Sequence, residues 1–214
     1  MRLAFLDSGY GLLPTVRYIL KNNVKHECFF FMCNEFPLGE LSNRKLNKIK
    51  RKYLNQFNNL SIDKIYVCCN TLSLVFNDVP NSFCILEFNK KLMDEYTTFI
   101  ATPRTINNLN YNNSIALKDM AKAIEDNNIN NIINTIRNLK IKTPKAILGC
   151  THYPLVKKIF KYYHQNTLFK DGLNNMLEMM IDKGEGQVLY ANEKAYEVIK
   201  RFYPFLVLNK IYTS

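Results

Sequence analysis

Ala146-Ile147-Leu148-Gly149-Cys150-Thr151-His152-Tyr153-Pro154-Leu155 reads as a short buried strand running straight into a cysteine. The apolar run from Lys145 to Leu148 is strand-sized, and from Leu155 to Tyr163 the spacing turns helical. The first half of the chain repeats the arrangement: Ile65-Tyr66-Val67-Cys68, then Cys69-Asn70-Thr71, then a stretch of helical spacing. Strand, cysteine, hydroxyl residue and helix thus occur twice within 214 residues.

Working outward, Leu3 to Leu6 is a third apolar run, and it ends in Asp7-Ser8-Gly9-Tyr10-Gly11. A helix is predicted from Pro14 to Lys21, because proline suits a first helical turn. Cys28 to Met32 reads as a buried strand, residues 35–39 as a loop, Arg44 to Phe57 as a helix and Lys64 to Cys68 as a strand. Alternation of strand and helix predicts an α/β fold built on mainly parallel sheets with helices on both faces. Shorter strand candidates are Phe83–Leu86 and Phe99–Ala101, and residues 107–113 form an Asn-rich loop. The spacing over Lys118–Leu139 predicts one helix, or two joined near Asn127-Asn128. Helices at Leu173–Ile181 and Glu193–Phe202, a loop at residues 182–186 and a last strand at Phe205–Leu208 complete the expectation.

Hydrophobic residues make up 47% of the chain, ample for a packed core. The longest apolar runs fall far short of a membrane span, and the N-terminus lacks a signal-peptide pattern, so a cytoplasmic protein with no membrane partner is expected. The six cysteines include no Cys-x-x-Cys pair, and the three histidines lack ligand spacing, so free thiols and no metal site are expected. A Cys after a buried strand is usually a small core residue, the reading given to Cys28, Cys33, Cys68 and Cys84. Neighbours in a strand point to opposite sides, so only one of Cys68 and Cys69 can face a cleft. His26 and His164 read as surface residues.

The net charge of +11 raises nucleic acid as a partner. The less specific reading is preferred: Lys and Asn are abundant throughout, and the one local cluster, Arg44 to Lys52, is the solvated face of a helix whose apolar face is Leu46, Ile49, Tyr53 and Phe57.

In open parallel sheets ligands bind beyond the carboxyl ends of the strands. Asp7-Ser8, Cys69-Asn70-Thr71 and Cys150-Thr151-His152 all follow strand-like runs, so three polar clusters converge on one end. Inverting an α-carbon needs a base on one face and a proton donor on the other. Two cysteines suit this, since a thiol of pKa near 8.5 leaves both forms accessible. Asp7 is expected to orient the group near Cys69, and His152 to tune Cys150. Thr71 and Thr151 offer hydroxyls to a carboxylate, with Ser8 and Asn70 as further substrate contacts. A cofactor-free racemase is the leading reading.

Together these motifs resemble glutamate racemase, of the cofactor-independent aspartate/glutamate racemase superfamily. Leu6-Asp7-Ser8-Gly9, Pro37-Leu38-Gly39, Cys69-Asn70-Thr71, Ala101-Thr102-Pro103-Arg104-Thr105 and the motif from Leu148 to Leu155 match that family's signatures in order. The resemblance implies Cys69 and Cys150 as the acid/base pair, assisted by Asp7 and His152, with Glu125 as the helical carboxylate near the histidine. It implies substrate contacts from Ser8, Pro37, Leu38, Gly39, Asn70, Thr71, Thr102, Thr105 and Thr151. It further implies two pseudo-symmetric α/β lobes with the active site in the cleft between them, over residues 1–95 plus 187–214 and 96–186. It implies a homodimer with no cofactor, making D-glutamate for peptidoglycan. The family's loop tyrosine is Leu38 here, and residues 81–140 are compact. Two alternatives remain: racemisation of aspartate or another amino acid on the same scaffold, and a non-catalytic member that binds nucleic acid or protein.

Overall fold

The computed structural model describes residues 1–180 and 186–211. In chain order its elements are β1 (Arg2–Asp7), α1 (Leu13–Lys21), β2 (Glu27–Met32), α2 (Asn43–Asn59), β3 (Lys64–Val67), α3 (Asn70–Phe76), β4 (Ser82–Cys84) and α4 (Ile85–Lys90). There follow β5 (Thr97–Ala101), α5 (Pro103–Leu109), β6 (Ser114–Ala116), α6 (Met120–Glu125), α7 (Ile129–Arg137), β7 (Lys145–Leu148), α8 (Lys157–Tyr163), β8 (Leu168–Lys170) and α9 (Leu173–Glu178). The chain closes with β9 (Val188–Ala191), α10 (Glu193–Phe202) and β10 (Asn209–Lys210).

The strands form two sheets, ordered β10-β9-β2-β1-β3-β4 and β6-β5-β7-β8. Every neighbouring pair runs parallel. The inner order β2-β1-β3-β4 is the order β6-β5-β7-β8 repeated, so each cysteine follows the third strand of an equivalent four-stranded unit. This doubling is the α/β, two-lobe fold expected from the repeated motif. β9 and β10 extend the first sheet beyond β2.

Parallel strands are buried on both faces and therefore read as continuous apolar runs. On β1, Leu3 and Phe5 pack with Val16 and Ile19 of α1, Leu177 of α9 and Ile199 of α10. Ala4 and Leu6 face the other way, against Leu46, Ile49, Tyr53 and Phe57 of α2. The cationic side chains of α2 lie opposite that apolar face, as the spacing predicts. Phe5, Tyr66 and Phe83 stack across β1, β3 and β4 with ring centroids 5.2 and 5.1 Å apart. Ser42 caps α2 by accepting the Lys45 N–H.

Several expectations change. The last strand is Asn209–Lys210 rather than residues 205–208: Leu206 N–H bonds Tyr203 O across a turn at Pro204, leaving Phe205 and Val207 in solvent. Residues 83–86 divide, with the strand ending at Cys84 and α4 starting at Ile85. The segment 118–139 takes the expected two-helix form, broken where Asn127 has a positive φ of 52°. Thr102-Pro103 opens a helix, α5, that runs into the expected Asn-rich loop and ends at Asn110 in the left-handed region. His26 is buried, its Nε2 3.3 Å from Met180 O, and His164 is half-buried with Nε2 2.7 Å from Ile136 O. Ile181, the loop at 182–185 and residues 212–214 lie outside the described residues. Among the described residues no helix is long and apolar enough to cross a membrane.

Gly172 leads from β8 into α9, where only a hydrogen fits: a Cβ there would lie 2.7 Å from the Phe88 carbonyl carbon and 2.8 Å from Asn89 N. These are backbone atoms of α4 and cannot swing aside. Gly172→Ala is expected to destabilise the protein by about 1–3 kcal/mol. Urea unfolding followed by circular dichroism checks this; an unchanged midpoint would show that α4 shifts freely.

Candidate active site

Six strand ends deliver the site. Asp7 ends β1, residues 36–40 follow β2, Cys69 follows β3, Thr102 follows β5, residues 117–122 follow β6 and Cys150 follows β7. They enclose a cavity of about 290 Å³ between the two sheets. That lies near the small end of the ligand pockets of about 300–1,000 Å³. Ser8, Pro37, Leu38, Gly39, Cys69, Asn70, Thr71, Thr102, Thr105, Cys150, Thr151 and His152 all line it. Asp7 and Glu125 stand behind this wall, touching its members.

Cys68 and Cys69 diverge as strand geometry requires. Cys68 packs in the core and accepts the Thr15 hydroxyl at 3.3 Å, while Cys69 faces the cavity with its sulfur 3.6 Å from Ser8 Oγ. Burial pushes the Cys69 thiol up to about 12, and the charge of Asp7 adds to this against the Leu72 N–H and Ser8 hydroxyl, which favour the thiolate. Cys69 therefore holds its proton at neutral pH.

Asp7 is fully buried. Oδ1 accepts the N–H groups of Ser8 at 2.5 Å and Gly9 at 3.3 Å and the Ser8 hydroxyl at 3.3 Å, and Oδ2 accepts the Thr151 hydroxyl at 3.0 Å. Its link to Cys69 thus runs through Ser8. Burial raises the Asp7 pKa, opposed by the charge of His152 and by these hydrogen bonds. The Thr151 proton is committed to Asp7, so toward the cavity this hydroxyl presents a lone pair rather than the donor expected for a carboxylate.

Cys150 has a different neighbour. Its sulfur lies 3.8 Å from His152 Nδ1, and His152 Nε2 lies 2.7 Å from Glu125 Oε1. Glu125 also accepts the Tyr10 N–H, which ties α6 to the turn after β1. A ring with both nitrogens facing acceptors is best satisfied as the imidazolium. Burial opposes that charge, but hydrogen bonds to Cys150 and Glu125 and the negative charges nearby outweigh it and raise His152 to about 10. Gly9 passes so close that a Cβ there would sit 2.0 Å from Glu125 Oε1.

Leu38 is buried, with its side chain in the core beneath α2. Asn70 shares a buried amide chain: Asn89 accepts the Gly172 N–H at 2.8 Å and donates to Asn70 Oδ1 at 3.0 Å. Asn70 Nδ2 is left without a partner among the described residues. The sequence reading passed over Phe36, Arg104, Leu117, Lys118, Asp119 and Lys122, which also line the cavity. Arg104 sat inside a quoted motif. The Leu117–Lys122 wall follows β6, whose three residues Ser114-Ile115-Ala116 carry too little apolar signal to announce a strand.

Searches against protein-family models return no match. Among curated proteins, the glutamate racemase of Prochlorococcus marinus (strain NATL1A) is 27% identical over 184 residues, covering 73% of this chain and 69% of that protein. Among solved structures, glutamate racemase from Thermus thermophilus in complex with beta-chloro-D-alanine superposes with a TM-score of 0.79 at 17% identity, covering 100% of this chain and 96% of that one. The enzyme from Francisella tularensis in complex with D-glutamate gives 0.76 at 18% identity, covering 100% and 97%. Sequence relatives and structural neighbours alike are glutamate racemases, which are isomerases, and the fold is theirs.

Because its folded-state pKa lies above the free value of 6.5, protonated His152 stabilises the fold fully below about pH 6.5, and that contribution is lost as pH rises through about 10. Glu125→Gln removes a negative partner and is expected to lower the His152 midpoint by a unit or more. NMR titration of the His152 ring carbons checks this; an unshifted midpoint would mean that Glu125 does not hold the charge.

Proposed function

We propose that this relative of the glutamate racemases interconverts L- and D-glutamate through its two cavity thiols, without a cofactor. The observation that carries the reading is the asymmetry of two cysteines lining one cavity. Cys69 is held as a neutral thiol by burial and by Asp7, while Cys150 faces an imidazolium backed by Glu125. A two-base inversion needs one deprotonated and one protonated partner at the start, and this arrangement supplies a distinct neighbour for each.

In the forward half-reaction the thiolate on one face removes the α-proton, and the C–H electron pair moves into the carboxylate as an enolate. The thiol on the opposite face then donates its proton to the same carbon. The two sulfurs exchange protonation states, and the enzyme returns to its starting form by the reverse passage or by exchange with water. Ser8 Oγ and the Thr151 lone pair accept from the substrate ammonium, whose charge Asp7 balances from behind. The unpartnered Asn70 Nδ2 and the Thr71 hydroxyl serve the α-carboxylate. A buried donor without a partner costs about 1–3 kcal/mol, so a carboxylate there recovers what the empty site forgoes. Backbone at Leu38-Gly39 and the hydroxyls of Thr102 and Thr105 border the side-chain end. With Leu38 packed in the core, that loop offers its main chain where a tyrosine hydroxyl is missing.

The family resemblance further supports a cytoplasmic homodimer whose D-glutamate enters peptidoglycan; light scattering on the purified chain tests the dimer. The decisive experiment follows α-proton exchange by NMR in D2O, with D- or L-glutamate and then aspartate, and no added cofactor. Inversion of glutamate with deuterium in the product, reduced by ~10²–10⁴-fold in both Cys69→Ala and Cys150→Ala, is expected. Inversion of aspartate alone would keep the mechanism and change the substrate. No exchange with any amino acid from folded protein would overturn the enzyme reading in favour of a binding role.

A further inference from the structure

Arg104 stands in the first turn of α5, between the two threonines Thr102 and Thr105 that line the cavity. Its guanidinium leaves its own sheet's unit and reaches the segment after β2. Nη1 donates to Leu41 O and, at 3.5 Å, to Gly39 O, and Nη2 donates to Asn43 Oδ1 at 2.6 Å. A planar fork held at both ends cannot swing as a lysine would. Beyond it lies a second space, a polar groove of about 320 Å³ bordered by Asn43, Asn47, Lys50, Asp78 and Asn108, and Arg104 borders both spaces. Lys50 is paired with Asp78 across this groove.

We infer that Arg104 is a specificity-determining wall: it closes the side-chain end of the cavity and limits the acidic amino acids accepted to the length of glutamate. This rests on the racemase reading for the class of ligand, an amino acid with a distal carboxylate. The cavity lies on one side of the guanidinium and the groove on the other, where Asn43 presents Oδ1 to the guanidinium, Asn108 Nδ2 donates to the Arg104 carbonyl at 2.8 Å, and Asn47 and Lys50 line the far wall. A side chain one methylene longer would drive its carboxylate into the place the guanidinium occupies. Removing the guanidinium joins the two spaces and releases the Asn43 amide to turn its Nδ2 to that carboxylate. Arg104 spends its hydrogen bonds on main-chain carbonyls and Asn43, so its role is to hold a boundary.

Calorimetric titration of the full chain with L-glutamate and with L-2-aminoadipate tests this without requiring turnover. The wild type is expected to bind 2-aminoadipate at least tenfold more weakly than glutamate, and Arg104→Ala to narrow that ratio to threefold or less. Arg104→Lys, which keeps length and charge, should stay nearer the wild type. Asn43→Ala, at an exposed position, removes the Nη2 anchor and should narrow the ratio at least twofold, which keeps the test open if Arg104→Ala does not fold. Equal binding of both ligands by the wild type, or an unchanged ratio in the folded variants, overturns the inference. Binding with the expected ratios but no α-proton exchange would sink the racemase reading alone, and no binding of either amino acid would sink both.

Discussion

The buried carboxylate of Asp7 is the group on which the site's architecture turns. It is fully enclosed, and an ionised carboxylate taken from water into protein is costly unless every lone pair finds a donor. Three donors are local, the Ser8 N–H and hydroxyl and the Gly9 N–H of the turn that β1 runs into. A fourth, the Thr151 hydroxyl, comes from 144 residues away in the unit built on the second sheet. The requirement to satisfy one carboxylate therefore fixes the turn after β1 and docks the Cys150 loop against it. Glu125 repeats the device from the other side, accepting the Tyr10 N–H while it meets His152. The close approach leaves no space for a side chain at Gly9. Two carboxylates, each spanning the two units, hold the cleft in register.

The same contacts make the halves chemically unlike although the topology makes them alike. Each cysteine follows the third strand of a unit with the same strand order, yet one meets a carboxylate through a serine and the other meets an imidazolium. The two sites therefore differ in the charge that each sulfur faces. A symmetric scaffold with asymmetric electrostatics suits a reaction whose two faces must begin in opposite protonation states. Cys28, buried in the same core as β1, has no charged group at hydrogen-bond distance among the described residues, whereas the Cys150 sulfur lies 3.8 Å from the His152 ring.

Much of this was legible in the residues because the repeated strand-cysteine pattern is itself topological information. Apolar runs such as Leu3–Leu6 and Cys28–Met32 declare buried parallel strands, and the carboxyl-end rule then gathers Asp7, Cys69 and Cys150 without any knowledge of tertiary contacts. The geometry brings Glu125 to His152, although the segment around Ala123-Ile124-Glu125 carries only ordinary helical spacing. What stayed hidden has a common cause. β6 and β8 have three residues each and β10 has two, lengths at which pairing with an existing sheet, not hydropathy, decides the conformation. Phe205 and Val207 mislead for the same reason: they are apolar, but the turn at Pro204 leaves them no neighbour strand. His26 reads as polar surface because its burial beside Met180 depends on the packing of α9.

Leu38 and Arg104 build one wall of the cavity together. Leu38 withdraws its side chain into the core beneath α2, and Arg104 extends its own across the cleft to the carbonyls that flank that same loop. The two placements are physically connected. A loop whose side chain is buried presents main-chain carbonyls to its surroundings, and carbonyls left in a half-buried wall need donors. A guanidinium supplies several at once with fixed geometry. Cys69, Cys150 and His152 line the same cavity, with Asp7 and Glu125 behind them and the Phe36 ring of the loop 5.6 Å from the His152 ring. A wall held by one guanidinium on main-chain carbonyls can thus be shaped without breaking the Asp7–Thr151 and His152–Glu125 contacts.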